Sequence, residues 1–128
     1  MPVPSTDAVQ GRNGPFRSSE VLNNAFQAPG PQIFDVLRFR VPVVKAAMGG
    51  PRFADQIYPL LVASGDVPRN PIVLVDDLAT SAGHLRAAKR RLEDGGGNVI
   101  LGVVCGRTVQ DVEVDAWQGG IYEVDDAF

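Results

Sequence analysis

Cysteine, histidine and tryptophan each occur once in the 128 residues. The single cysteine, Cys105, excludes an intrachain disulfide framework. It lies in the apolar run Val103-Val104-Cys105, which predicts a small buried side chain rather than a nucleophile. With the only histidine, His84, far from it in sequence, no Cys/His zinc motif can be written. An excess of basic charge is also missing. Twelve Lys and Arg stand against 15 Asp and Glu, for a net charge of −3. That balance argues against a duplex nucleic-acid binder, so nucleic acid is not indicated as a partner. No apolar run approaches the roughly 20 residues needed to span a bilayer. The start, MPVPSTDAVQ, lacks the basic-then-apolar pattern of a secretory signal. These absences lead to the expectation of a cytoplasmic protein with no membrane contact.

What is present is enough apolar material, 45%, for one globular core, and the length predicts a single domain over residues 1–128. Pro2 and Pro4 hold residues 2–5 extended, and the Gly/Pro-containing stretch Thr6 to Arg17 reads as a loop. Ser18 or Ser19 is placed to cap a helix with Val21, Leu22, Ala25 and Phe26 as its apolar positions. Ile33 to Val41 reads as a strand, Val43 to Pro51 as a flexible loop, and Phe53, Ile57, Leu60 and Leu61 as one helix face. Ile72 to Val75 and Val99 to Val104 are short continuous apolar runs, the pattern of strands buried on both faces. Between them Leu85, Ala88 and Leu92 mark one helix face, and Arg86, Lys89, Arg90 and Arg91 mostly its wet side. Gly95-Gly96-Gly97 ends that helix. A last strand is expected around Ile121 to Val124. Strands alternating with helices imply an α/β fold with a mostly parallel sheet between helix layers, where ligands bind beyond the carboxyl ends of the strands.

The chemistry concentrates in Val73 to His84, where a buried strand is followed by Asp76-Asp77 and then Leu78-Ala79-Thr80-Ser81-Ala82-Gly83-His84. Backbone N–H groups at a helix start, with the helix dipole, favour an anion in such a turn. Thr80 and Ser81 add hydroxyl donors, and small side chains let the backbone approach a phosphate. Two carboxylates beside that cradle repel phosphate, but they accept hydrogen bonds from sugar hydroxyls next to it.

This stretch resembles the phosphoribosyl pyrophosphate signature of type I phosphoribosyltransferases: an apolar strand, two acids, two variable residues, then Thr-x-Gly-x-Thr. The resemblance implies a three-layer, mostly parallel sheet of the phosphoribosyltransferase type, here without an N-terminal hood. It implies that Asp76 and Asp77 hold the ribose hydroxyls and that Ala79, Thr80, Ser81, Ala82, Gly83 and His84 hold the 5′-phosphate. More weakly, Val3-Pro4-Ser5 and the Arg-bearing loop after it look like the pyrophosphate loop of ComF-like members. Arg38 to Arg52 resembles the basic loop that closes over substrate. On that footing Ser5, Thr6, Arg12, Arg17, Lys45 and Arg52 would meet pyrophosphate, with Mg²⁺ bound through the pyrophosphate and Asp76 and Asp77. The ligand implied is phosphoribosyl pyrophosphate or another ribose 5-phosphate compound such as a nucleotide monophosphate; a homodimer is compatible with the family. Ala82 stands where the signature has glycine and His84 where it ends in threonine. If the turn needs φ > 0 at Ala82 the cost is on the order of 1 kcal/mol; otherwise Gly83 takes that role with the turn shifted by one.

Plainer readings stand beside these. Asp76-Asp77 could be a solvated strand end, His84 an exposed first-turn residue, and Arg38, Arg40 and Lys45 a wet strand face. Lys89-Arg90-Arg91 reads as a solvated helix face, and Trp117 as core or interface. Two functions compete. One is an enzyme transferring ribose 5-phosphate to a nitrogen nucleophile with release of pyrophosphate. The other is a non-catalytic phosphoribosyl- or nucleotide-binding regulator, or an accessory module in nucleic-acid processing. A response-regulator receiver fails on position, because too little chain follows Asp77 to supply its later phospho-acceptor.

Overall fold

A computed structural model describes residues 1–12, 14–27, 29–79 and 81–107. In chain order the elements are α1 (Arg17–Ala25), β1 (Leu37–Phe39), α2 (Ala54–Ile57), β2 (Leu61–Ala63), β3 (Pro71–Ala79), α3 (Gly83–Asp94) and β4 (Asn98–Arg107). Short 3₁₀ turns at Ala46–Met48 and Tyr58–Leu60 precede α2 and β2. The described residues form a mixed α/β structure with two small sheets, and both long strands and the longest helix lie in the second half of the chain. The expected strand over Ile121 to Val124, and Trp117, lie outside the described residues.

β3 and β4 pair in parallel, with Leu74 opposite Gly102 and Asp76 opposite Val104. β1 and β2 pair antiparallel, Arg38 opposite Val62. The N-terminal segment joins the two sheets. Val3 N–H donates to the Val75 carbonyl (2.8 Å) and Val75 N–H to the Met1 carbonyl (2.9 Å), which places residues 1–3 along the other edge of β3. A few residues on, Phe39 N–H donates to the Ala8 carbonyl (2.8 Å) and Gln10 N–H to Phe39 (2.7 Å). Pro2 and Pro4 suit this edge, since each lacks the N–H an inner ladder would need.

α3 forms where the sequence predicts it. Leu85, Ala88 and Leu92 sit one turn apart and are buried against Ile72, Leu74 and Val99. Gly96, at φ +81°, closes it: Gly96 N–H reaches the Glu93 carbonyl and Gly97 N–H the Leu92 carbonyl. One core results. It runs from this helix through Leu74 to Leu37, Phe39, Ile57 and Leu61, all essentially inaccessible to water.

Several expectations need correction. α1 starts at Arg17, so neither Ser18 nor Ser19 is its cap. Instead the Ser19 hydroxyl accepts from Phe16 N–H (3.0 Å) and donates back to the Phe16 carbonyl (2.9 Å). Only Leu22 of its expected apolar positions is buried; Val21 and Phe26 are exposed. The strand expected over Ile33 to Val41 is three residues long. The helix expected through Leu61 stops at Ile57, because Pro59 has no N–H to continue it, and Leu61 opens β2. β4 is a strand but is not buried on both faces: Ile100, Leu101 and Val103 are exposed, and so is Cys105. β3 is its only ladder partner among the described residues. Arg91 is not on the wet side of α3; its guanidinium lies 3.9 Å from the Tyr58 ring centre and donates to the Tyr58 carbonyl.

Candidate functional site

β3 is longer than its apolar run. It continues through Ala79, so Asp76 and Asp77 lie within the strand near its carboxyl end rather than beyond it. The strand places them against the first turn of α1, which packs on β3. Arg17 Nε lies 3.0 Å from Asp77 Oδ2; the arginine side chain is 79% exposed and that of Asp77 30%. Asp76 is more enclosed. Burial, and then the charge of Asp77 beside it, push its carboxyl up to about 7. The buried hydroxyl of Ser18 and the backbone N–H of Asp77, which donates to Asp76 Oδ1 at 3.0 Å, pull the other way. The pair is thus inequivalent: one carboxylate is held by a cation and the other is poised near neutral pH.

The turn after β3 settles which residue takes the left-handed conformation. It is Ala82, at φ 55° and ψ 13°, directly before α3. An alanine there costs on the order of 1 kcal/mol relative to glycine. Gly83 has a different task. A Cβ on it would sit 2.0 Å from the Arg52 carbonyl oxygen and 3.3 Å from the Phe53 Cα, so glycine lets that backbone lie against the helix start. Ser81 Oγ donates to the same carbonyl at 2.7 Å. His84 is half-buried, edge-on to the Phe39 ring with centroids 6.1 Å apart. Burial lowers its pKa below 6.5, so at neutral pH it brings no charge to the turn. Ala79 ends β3 opposite Arg107. Thr80 lies outside the described residues.

The basic residues expected around a pyrophosphate divide into three groups. Ser5, Arg12 and Lys45 gather at Asp7. The Ser5 hydroxyl donates to Asp7 Oδ1 at 2.5 Å, and it, more than Lys45 and Arg12, holds that carboxyl below its ordinary value. Thr6 lies between Ser5 and Asp7, half-buried. Arg17 is on the acidic pair. Arg52 turns its guanidinium onto the Ala46 carbonyl, with Nη2 at 3.0 Å and Nε at 3.3 Å, while its own carbonyl rests on the turn before α3. Arg38 pairs with Asp35 and lies over the Phe16 ring at 5.1 Å, which takes it out of the site.

Among the described residues no group of three or more His, Cys, Asp or Glu side chains is placed to hold a metal ion by itself. Asp76 and Asp77 offer the one or two carboxylates that suffice when Mg²⁺ rides on phosphate oxygens and water. A concavity of about 200 Å³ bordered by Met1, Phe34, Pro68 and Ile72 lies at the opposite end of β3, away from these groups. Sequence reasoning missed Ser18 as the neighbour of Asp76, and the approach of the Arg52 backbone to Gly83. Only the glycine itself, at a helix start where side chains are normally tolerated, hinted at that approach. No helix among the described residues is long and apolar enough to cross a membrane.

Comparisons with protein-family models, with curated proteins and with solved structures each returned no match to this chain.

Proposed function

We propose that the carboxyl end of β3 and the start of α3 bind a phosphorylated ribose, and that the chain is of phosphoribosyltransferase type. One observation carries the reading. Two adjacent carboxylates precede, within a few residues on one parallel strand, a hydroxyl-bearing turn at the N-terminus of a 12-residue helix. Carboxylates repel a bare anion, whereas the helix start attracts one. A ligand satisfying both carries hydroxyl donors beside a phosphate. Asp76 and Asp77 accept from the ribose hydroxyls; Ser81 and the first backbone N–H groups of α3 donate to the 5′-phosphate.

The reaction of such a site breaks the bond from the anomeric carbon to pyrophosphate and forms one to a nitrogen nucleophile. Asp77 stabilises the positive charge developing on the ring. A ribose hydroxyl arriving at Asp77 displaces Arg17, whose freed guanidinium then faces the leaving group together with Ser5, Thr6, Arg12, Lys45 and Arg52. Mg²⁺, when bound, neutralises pyrophosphate charge. Asp76 and Asp77 are the residues of this chain that would hold it. Phosphoribosyl pyrophosphate is the substrate of this reading, set in a three-layer fold of that type.

The second reading, a phosphoribosyl- or nucleotide-binding module without transfer, is favoured by Ala82 in the left-handed position and by the use of Arg52 as a clamp on its own loop. Calorimetry on the Asp76→Asn/Asp77→Asn protein tests the shared premise. Affinity for ribose 5-phosphate should fall and affinity for inorganic phosphate should hold or rise. Equal losses for both ligands in a folded variant would remove the ribose assignment. Released pyrophosphate on adding phosphoribosyl pyrophosphate, Mg²⁺ and an amine-bearing base decides between transfer and binding.

A further inference from the structure

We infer that the segment Val44 to Phe53 is a strap that closes the anion site at the start of α3 in the free protein, and that an anion binds there only as the strap leaves. This rests on the phosphate reading of that turn. Three independent contacts define the strap. First, the Arg52 carbonyl oxygen occupies the ground a phosphate oxygen would take. It accepts from Ser81 Oγ at 2.7 Å and lies so close to Gly83 that a Cβ would be 2.0 Å away. A carbonyl oxygen is a partial negative charge set against the positive end of the helix, so it competes for the same electrostatic site as a phosphate.

Second, the strap is folded on itself rather than loosely draped. Gly49 takes φ +87°, Gly50 N–H donates to the Lys45 carbonyl at 3.1 Å, and the Arg52 guanidinium donates to the Ala46 carbonyl. A Cβ at Gly50 would fall 1.8 Å from the Val44 carbonyl oxygen, so this turn closes only with glycine there. Third, Gln56 fastens its far end: Gln56 Oε1 accepts from Arg52 N–H at 3.1 Å and Phe53 N–H at 3.4 Å. Against these contacts the strap buries little. Val44, Met48 and Phe53 are among the most exposed apolar side chains of the described residues, Met48 at 77%. Few buried contacts and a handful of exposed polar clamps make a segment that opens at low cost. A phosphate, carrying more charge than a carbonyl, is able to displace it.

The test uses inorganic phosphate and the whole chain. In the wild type, saturating phosphate should speed trypsin cleavage after Lys45 and Arg52 several-fold. Gln56→Ala and Gly50→Ala, which loosen the strap without touching the turn, should each bind phosphate about 3- to 10-fold more tightly than wild type. Phosphate that protects Lys45 and Arg52 would overturn the inference, since the segment would then be closing over its ligand. Folded variants with accelerated cleavage but unchanged phosphate affinity would overturn it as well. If one variant fails to fold, the wild-type cleavage and the other variant decide. If no protein with an opened strap binds phosphate, the strap occludes nothing and the anion reading of the turn fails with it. Binding that is present but insensitive to the strap removes this inference alone.

Discussion

The acidic and the basic halves of the candidate site are built differently. Asp76 and Asp77 sit on a nine-residue strand backed by a 12-residue helix and a ten-residue partner strand. Their places follow from regular hydrogen bonding and from the burial of Ile72, Leu74 and Leu92. The cations expected to face them lie on loops and on elements of three or four residues, or, for Arg17, at the first position of a helix. Two are engaged directly by a neighbour, Arg17 by Asp77 and Arg52 by the Ala46 carbonyl, while Arg12 and Lys45 lie in the field of Asp7. Regular structure can present a charge without using it. A loop with little apolar burial draws on its polar side chains to hold its shape, so the groups that would bind a ligand are the same groups that keep the loop closed.

The sharpest way to break this contrast is to attack the burial beneath the acids. Leu74 is fully buried between β3 and α3. Leu74→Ala should cost about 3 kcal/mol in urea denaturation through lost transfer energy and the cavity left behind. A cost below about 1 kcal/mol would mean that the acidic edge does not depend on this core.

Next in size is Asp76. Its folded pKa, near 7, lies above its ordinary value, so the folded protein holds the proton more tightly than the unfolded chain between about pH 4 and 7. Stability from this group is therefore full below pH 4 and is lost as pH rises through 7. The advantage of Asp76→Asn over the wild type should grow from pH 5 to pH 8 by on the order of 2 kcal/mol. A difference independent of pH would show that Asp76 is not held protonated by its surroundings.

Smaller still is the strain at Ala82. Ala82→Gly removes the left-handed penalty but adds unfolded-chain entropy, leaving a net gain of about 0.5 kcal/mol in denaturation. A loss would mean that the turn takes another conformation. The smallest effect belongs to Arg17→Gln. An ion pair with so exposed an arginine should change stability by less than about 0.5 kcal/mol. In the same variant ribose 5-phosphate should bind at least as tightly as in wild type, because Asp77 is already free. Weaker binding would make Arg17 a direct contact of the sugar phosphate rather than a group it displaces.

Legibility from sequence follows the same division. β3 and β4 were readable because Ile72 to Val75 and Val99 to Val104 are continuous apolar runs, and α3 because Leu85, Ala88 and Leu92 recur at helix spacing, with Gly96 marking its end. β1 and α2 fall inside the strand and helix that the sequence predicts but are much shorter, and β2 begins where that helix was expected to continue; contact with the core and the break at Pro59 set their bounds. The two acids and their turn could be singled out, but not the α1 turn that covers them, since nothing in Arg17-Ser18 indicates a strand 60 residues away. The exposure of Cys105 was missed because a continuous apolar run is the same whether a strand lies inside a sheet or at its open side.

That exposed thiol has a practical consequence. Val104 pairs with Asp76 and Gly106 with Leu78, so Cys105 lies on the neighbouring strand at the level of Asp77. It is also the chain's sole cysteine. A maleimide fluorophore would therefore attach at one defined place, one strand from the carboxylate that Arg17 now occupies. Its emission would report displacement of that guanidinium in real time, without any engineered residue.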